Sequence, residues 1–144
     1  MSWDEPDGDA ARDGSPGDAA ETNGPVAAYA EGALRVVVQS PQRDVAVVRV
    51  CGEVDLSTAP AFEAAVSQVL VAKPRALVID LRAVTFLASR GLAALVEAQQ
   101  QATRAGSRMR VVVGNSRAVK RPIVATGLGG TFEIHTDLGS ALEG

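Results

Sequence analysis

Ser89 is the residue whose type and placement point most directly to chemistry. It lies inside the stretch Ala76 to Val96, ALVIDLRAVTFLASRGLAALV. That stretch reads as a buried strand (Ala76 to Leu81), a loop that stays apolar through Val84, Phe86 and Leu87, and a helix opening at Ser89. A serine at such a junction faces the unpaired amides of the first helical turn, where the positive end of the helix dipole is concentrated. The position suits an anion, and a plain helix cap is the alternative reading. A second polar group, Glu53, Asp55, Ser57 and Thr58, sits in GEVDLSTAPAF. Ser57 or Thr58 can cap a helix there and Asp55 can assist, while Glu53 and Asp55 also read as solvated turn residues. Cys51 and His135 are the sole members of their types. Neither has a partner for a disulfide, a metal site or acid–base catalysis, so both read as structural.

The elements that must position these groups follow from periodicity. LRVVVQ, from Leu34, alternates as a half-buried strand, Ser40 to Asp44 turn the chain, and VAVVRVCG returns it, an antiparallel hairpin. The next helix tolerates Pro60 in its first turn, lines Phe62, Val66, Val69 and Leu70 along one face, and ends at Pro74. The apolar run ALVI then indicates a strand covered on both faces, completing a parallel crossover. From Ser89 to about Arg104 a helix directs Leu92, Leu95 and Val96 toward the sheet, and Gly106 stops it. MRVVVG, residues 109 to 114, repeats the buried-strand signal. Asn115 or Ser116 caps a third helix carrying Val119, Ile123 and Val124, in which Pro122 either makes a kink or marks a later start near Arg121. Gly127 reads as a C-terminal cap, TFEIH as a last strand, and Thr136 or Asp137 as the cap of a final short helix through Leu142. The sum is an α/β fold: a mixed sheet of about five strands with four packed helices.

The chain has 144 residues and 47% apolar content, enough for one domain. Residues 1–28 hold seven acids (Asp4, Glu5, Asp7, Asp9, Asp13, Asp18, Glu21) against Arg12, a balance of −6; the whole chain carries −3, which leaves +3 for residues 29–144. This first segment, rich in Asp, Gly, Pro and Ala without apolar periodicity, reads as a disordered acidic tail before a domain over 29–144. The basic excess is too small and scattered for nucleic acid. No signal-peptide pattern and no apolar run of the roughly 20 residues needed to span a bilayer is present, so a soluble cytoplasmic protein is expected. No cofactor or metal is expected. Phosphate-loop, dinucleotide, zinc-protease and nucleophile-elbow signatures are all missing, so the expectation is a protein that is not an enzyme.

Residues 33 to 142 resemble the STAS domain, and within it the bacterial anti-sigma factor antagonists. Three segments carry the likeness: GEVDLSTAPAF (52–62), DLRAVTFLASRGLAALV (80–96) and TGLGGTFEIHTDLGSAL (126–142). The resemblance implies a STAS-like fold and a partner switch. In that family, the unmodified antagonist binds an anti-sigma factor that is also a serine kinase, releasing a sigma factor. Phosphorylation of a serine then dissolves the complex. Ser89 matches the phosphoacceptor, and Glu53, Asp55, Ser57, Thr58, Ala88, Arg90 and Gly91 fall where the partner would dock. Where the family usually has Asp before the acceptor and Ser or Thr after it, this chain has Ala88 and Arg90. Arg90 is expected to pair with phosphoserine 89 or with an acidic partner surface. The implied protein is a monomer or weak dimer without direct nucleic-acid or membrane contact. The alternative is a STAS interaction subunit of another signalling or transport assembly that is never phosphorylated.

Overall fold

A computed structural model describes residues 25–143. Six strands form one sheet in the order β1 (Pro25–Glu31), β2 (Leu34–Gln42), β3 (Val45–Val54), β4 (Ala76–Leu87), β5 (Arg108–Val112), β6 (Glu133–His135). The first two pairings are antiparallel and the other three parallel. Helices α1 (Ala59–Leu70), α2 (Ser89–Arg104), α3 (Arg117–Ala125) and α4 (Leu138–Leu142) connect and follow the parallel strands, with a single 3₁₀ turn at Leu128–Gly130.

Alternation along the strands sorts the two faces. Val36, Val48, Val50, Leu77, Ile79, Met109 and Val111 point to one side, where Phe62 and Val66 of α1, Leu92 and Leu95 of α2, and Val119 and Ile123 of α3 close the main core. Val45, Val47, Ala76, Val78 and Val112 point to the other side, where among the described residues they cluster with Leu138, Ala141 and Leu142 of α4. Among the described residues, three helices thus pack on one face of the sheet and α4 on the other.

The expected elements recur with three differences. The sheet has six strands, not about five: PVAAYAE forms β1, pairing Tyr29 with Val36 along an edge. It begins at Pro25, inside the segment expected to be tail; the remainder of that segment, residues 1–24, lies outside the described residues. The span through Val84, Phe86 and Leu87, expected as a loop, continues β4, because the end of β3 runs beside it and pairs Glu53 with Phe86 and Val54 with Leu87. Pro122 sits within an unbroken helix that starts at Arg117.

Gly52 permits this extension. Its φ is +102°, and a Cβ there would lie 1.9 Å from the Ala33 carbonyl oxygen, which accepts the Glu53 amide. Only glycine fits a bulge this close to neighbouring backbone.

Candidate functional site

The ends of β3 and β4 and the starts of α1 and α2 converge at one end of the sheet. Val54 anchors them: its carbonyl accepts the Ala88 amide at 2.9 Å. Ala88, in extended conformation, occupies the N-cap of α2, so Ser89 is the first helical residue rather than the cap itself. The expectation of a capping serine is corrected here; the backbone enters the helix one residue earlier, and no side chain caps α2. The first bonds of α2 run from Gly91 and Leu92 to the Ala88 carbonyl, at 2.8 and 3.0 Å. The amides of Ser89 and Arg90 precede that ladder at the positive mouth of the helix. Ser89 is exposed there.

Asp55 organises the neighbouring turn. One carboxylate oxygen accepts from the Ser57 amide (3.0 Å), the Ser57 hydroxyl (3.0 Å) and the Thr58 amide (3.1 Å). Thr58 stands at the N-cap of α1 without capping it through its side chain; its hydroxyl donates to the Glu53 carbonyl at 2.8 Å and accepts from the Asp55 amide at 2.9 Å. The Asp55 carboxyl is held below its ordinary range by the Ser57 hydroxyl first and by the other donors of the turn, which together outweigh the opposing effect of burial.

The predicted residues therefore divide. Glu53, Ser57 and Ser89 are exposed, and Asp55, Ala88 and Arg90 are half-buried on the same rim. Thr58 is 3% exposed with its hydroxyl consumed internally, and Gly91 is buried. A Cβ on Gly91 would meet Leu87 Cδ1 and Val54 Cγ1 at 2.8 Å and the Val54 carbonyl at 2.9 Å. These two, expected to touch a partner, lie beneath the rim and set how closely α1 and α2 approach the strands.

Arg90 makes a contact within the chain. Its Nη1 lies 2.8 Å from Glu63 Oε2 of α1, and that hydrogen bond keeps the guanidinium protonated to higher pH than usual. The pair bridges a groove of about 640 Å³ between α1 and α2, lined by Pro60, Ala64, Ser67, Ala93, Glu97 and Gln101 as well. Two apolar residues that sequence reasoning did not select as contacts stand on the rim: Leu56 is 73% exposed and Phe86 51%. Leu56 lies in the turn after β3 between half-buried Asp55 and exposed Ser57, and Phe86 stands between exposed Thr85 and buried Leu87, so no local apolar period marked either as exposed.

Below the rim, on the sheet face opposite the main core, Asp80 is 1% exposed. Arg82 grips it with Nε to Oδ1 at 2.9 Å and Nη2 to Oδ2 at 2.8 Å, and Arg49 Nε lies 3.5 Å away. Burial alone raises this carboxyl, but the Arg82 hydrogen bonds and the two positive charges outweigh it, leaving it below the usual range. His135 is structural in its contacts: Nε2 meets Glu133 Oε2 and Nδ1 meets Ser140 Oγ, each at 2.8 Å. Among the described residues no group of three or more His, Cys, Asp or Glu is placed to hold a metal, and no helix is long and apolar enough to cross a membrane.

Comparison with known proteins agrees with this geometry. The STAS domain model matches residues 36–141. Anti-sigma-F factor antagonist RsfB of Mycobacterium tuberculosis is 41% identical over 111 residues, covering 75% of this chain and 87% of that protein. A crystal structure of an anti-sigma factor antagonist from Mycobacterium paratuberculosis superposes with a TM-score of 0.70 at 40% identity, covering 78% of this chain and 94% of the other. The unphosphorylated form of the antagonist SpoIIAA shares the fold, with a TM-score of 0.61 at 17% identity over 73% of this chain and 91% of its own. With a sheet, helices and rim of this kind, and matches that span most of its length, the chain belongs to the STAS domain family.

Proposed function

We propose that this protein is an anti-sigma factor antagonist: it docks on an anti-sigma factor through the rim formed by Glu53, Leu56, Ser57, Phe86 and Ser89, so that a sigma factor is released, and phosphorylation of Ser89 by that partner ends the association. The observation that carries the proposal is the exposure of Ser89 on the first turn of α2, beside two exposed apolar residues. Its relatives at 40 to 41% identity bear the antagonist name. A hydroxyl at this position is accessible to a kinase, and the apolar neighbours supply the water-excluding contacts that a protein interface needs. A phosphate adds about −1.5 to −2 charges. The α2 amides stabilise that charge within this chain, whereas in a closed interface it meets no compensation. Loss of roughly 2.7 kcal/mol weakens binding about a hundredfold, within the range that one uncompensated interfacial charge costs.

The test is incubation of the full chain with its cognate anti-sigma factor and ATP, read by intact mass and by calorimetric titration. A single phosphate addition that Ser89→Ala abolishes, with Ser89→Glu weakening binding about a hundredfold, supports the proposal. Tight binding with no addition under any condition overturns the phosphorylation step and leaves a constitutive interaction module, the reading that Ala88, which lacks the family's carboxylate, favours.

A further inference from the structure

Among the described residues the sheet ends in two edges of unlike character. At one, β6 is three residues long, and its Glu133 and His135 bond to each other, Oε2 to Nε2 at 2.8 Å. A short strand carrying charge resists pairing with another chain. At the other, β1 runs for seven residues, PVAAYAE; β2 takes one side of it and no described strand takes the other. Between Pro25 and Glu31 there is no charge, proline or glycine, and the one register shift lies at the start, between Pro25 and Ala27. The alternate amides and carbonyls along that outer side are a template for a further strand.

The strand is complementary to itself. An antiparallel pairing of two β1 strands about a twofold axis through Ala28, perpendicular to the sheet, sets each of the seven residues against a counterpart. Ala28 then stands opposite Ala28 of the second copy, Tyr29 opposite Ala27, and Glu31 opposite Pro25. No like charges meet, and the one aromatic ring falls beside a methyl group. The pleat suits this arrangement. Ala27 and Tyr29 are partly buried against the main core, whereas Ala28 and Ala30 are exposed on the other face, so the axis brings core side beside core side.

We propose that β1 is the surface through which two copies of this chain pair, by an antiparallel strand addition that joins their sheets into one. A seven-residue edge buries far less than the roughly 1,200 Å² of a stable complex, so the dimer is weak and depends on concentration. The pairing uses the sheet edge and none of the residues placed on the Ser89 rim.

Sedimentation equilibrium of the full chain over a range of concentrations tests this, with Ala28→Lys and Ala28→Glu as variants. Ala28 is exposed, so both are expected to keep the wild-type circular dichroism melt. The wild type is expected to dimerise reversibly, and each variant to do so about fivefold more weakly, because two like charges then face each other across the axis. An equimolar mixture of the two variants is expected to regain association, since opposite charges then meet. Hydrogen exchange of the wild type supplies a second reading: protection of the β1 amides rises with protein concentration. A wild type that stays monomeric, a dimer that both Ala28 variants leave unchanged, or a mixture that regains nothing overturns the proposal. Protection of the β1 outer edge that is complete at every concentration overturns it too, since the edge is then covered within one chain. None of these readouts depends on phosphorylation or on an anti-sigma factor, so they stand or fall apart from the switch.

Discussion

Asp80 shows how a single residue ties sequence to pH response. Its carboxyl is held below the ordinary range in the fold, so it contributes stability that is fully present above about pH 4, the unfolded value, and is lost as pH falls through the lower folded value. Urea unfolding at pH 7 and at pH 3 will show a stability drop in the wild type that is markedly smaller in Asp80→Asn. That substitution will itself cost about 2 to 3 kcal/mol at pH 7, below the usual figure for a broken buried pair because Arg49 and Arg82 are more than a third exposed. Arg90 offers a second residue-scale test, conditional on Ser89 carrying phosphate. Its side chain pairs with Glu63, yet it is the cation next along the chain from the hydroxyl. In phosphorylated protein the ³¹P titration of phosphoserine 89 will fall below its ordinary pKa of about 6, and Arg90→Ala will raise it toward that value. Identical titrations would assign Arg90 to the Glu63 pair alone.

At the scale of elements, the contact that places the rim is the seating of α2 on the ends of β3 and β4. Gly91 makes it possible, since any Cβ would press within 2.9 Å of the Val54 carbonyl, a backbone atom that cannot swing away. Gly91→Ala will destabilise the fold by about 1 to 3 kcal/mol by overpacking, and a larger loss of partner binding than Ser89→Ala will accompany it, because α2 must lift and carry Ser89 with it. Chemical denaturation and calorimetric titration of the two variants decide this; unchanged stability would mean the helix seat has room for the added Cβ. The Asp55 turn acts similarly on α1. Its carboxylate holds the Ser57 and Thr58 amides, so Asp55→Ala will loosen the turn that leads into α1 and lower the thermal unfolding midpoint read by circular dichroism.

At the scale of the whole fold, one face of the sheet carries most of the packing among the described residues. Leu95, 2% exposed in the main core, will cost about 2 to 5 kcal/mol when truncated to Ala. Ala141 and its few apolar neighbours make a far smaller cluster on the other face. Much of this architecture was legible from residue order. Alternation in LRVVVQ and the apolar run ALVI specify strands, and the spacing of Phe62, Val66 and Leu70 specifies a helix, because these patterns depend only on the local period of the chain. PVAAYAE escaped because alanine has little intrinsic strand preference; β1 exists through its hydrogen bonds to β2, a non-local gain. The same division holds at the rim. The sequence by itself determined that a serine stands where a strand gives way to a helix, since strand run, junction and helical spacing are all written within Ala76 to Val96. The tertiary structure alone decided that Ala88 rather than Ser89 is the cap, that Gly91 and Thr58 lie beneath the surface, and that Arg90 answers to Glu63. Each of those depends on which distant backbone or side chain comes within a few ångströms, and no local pattern encodes that distance.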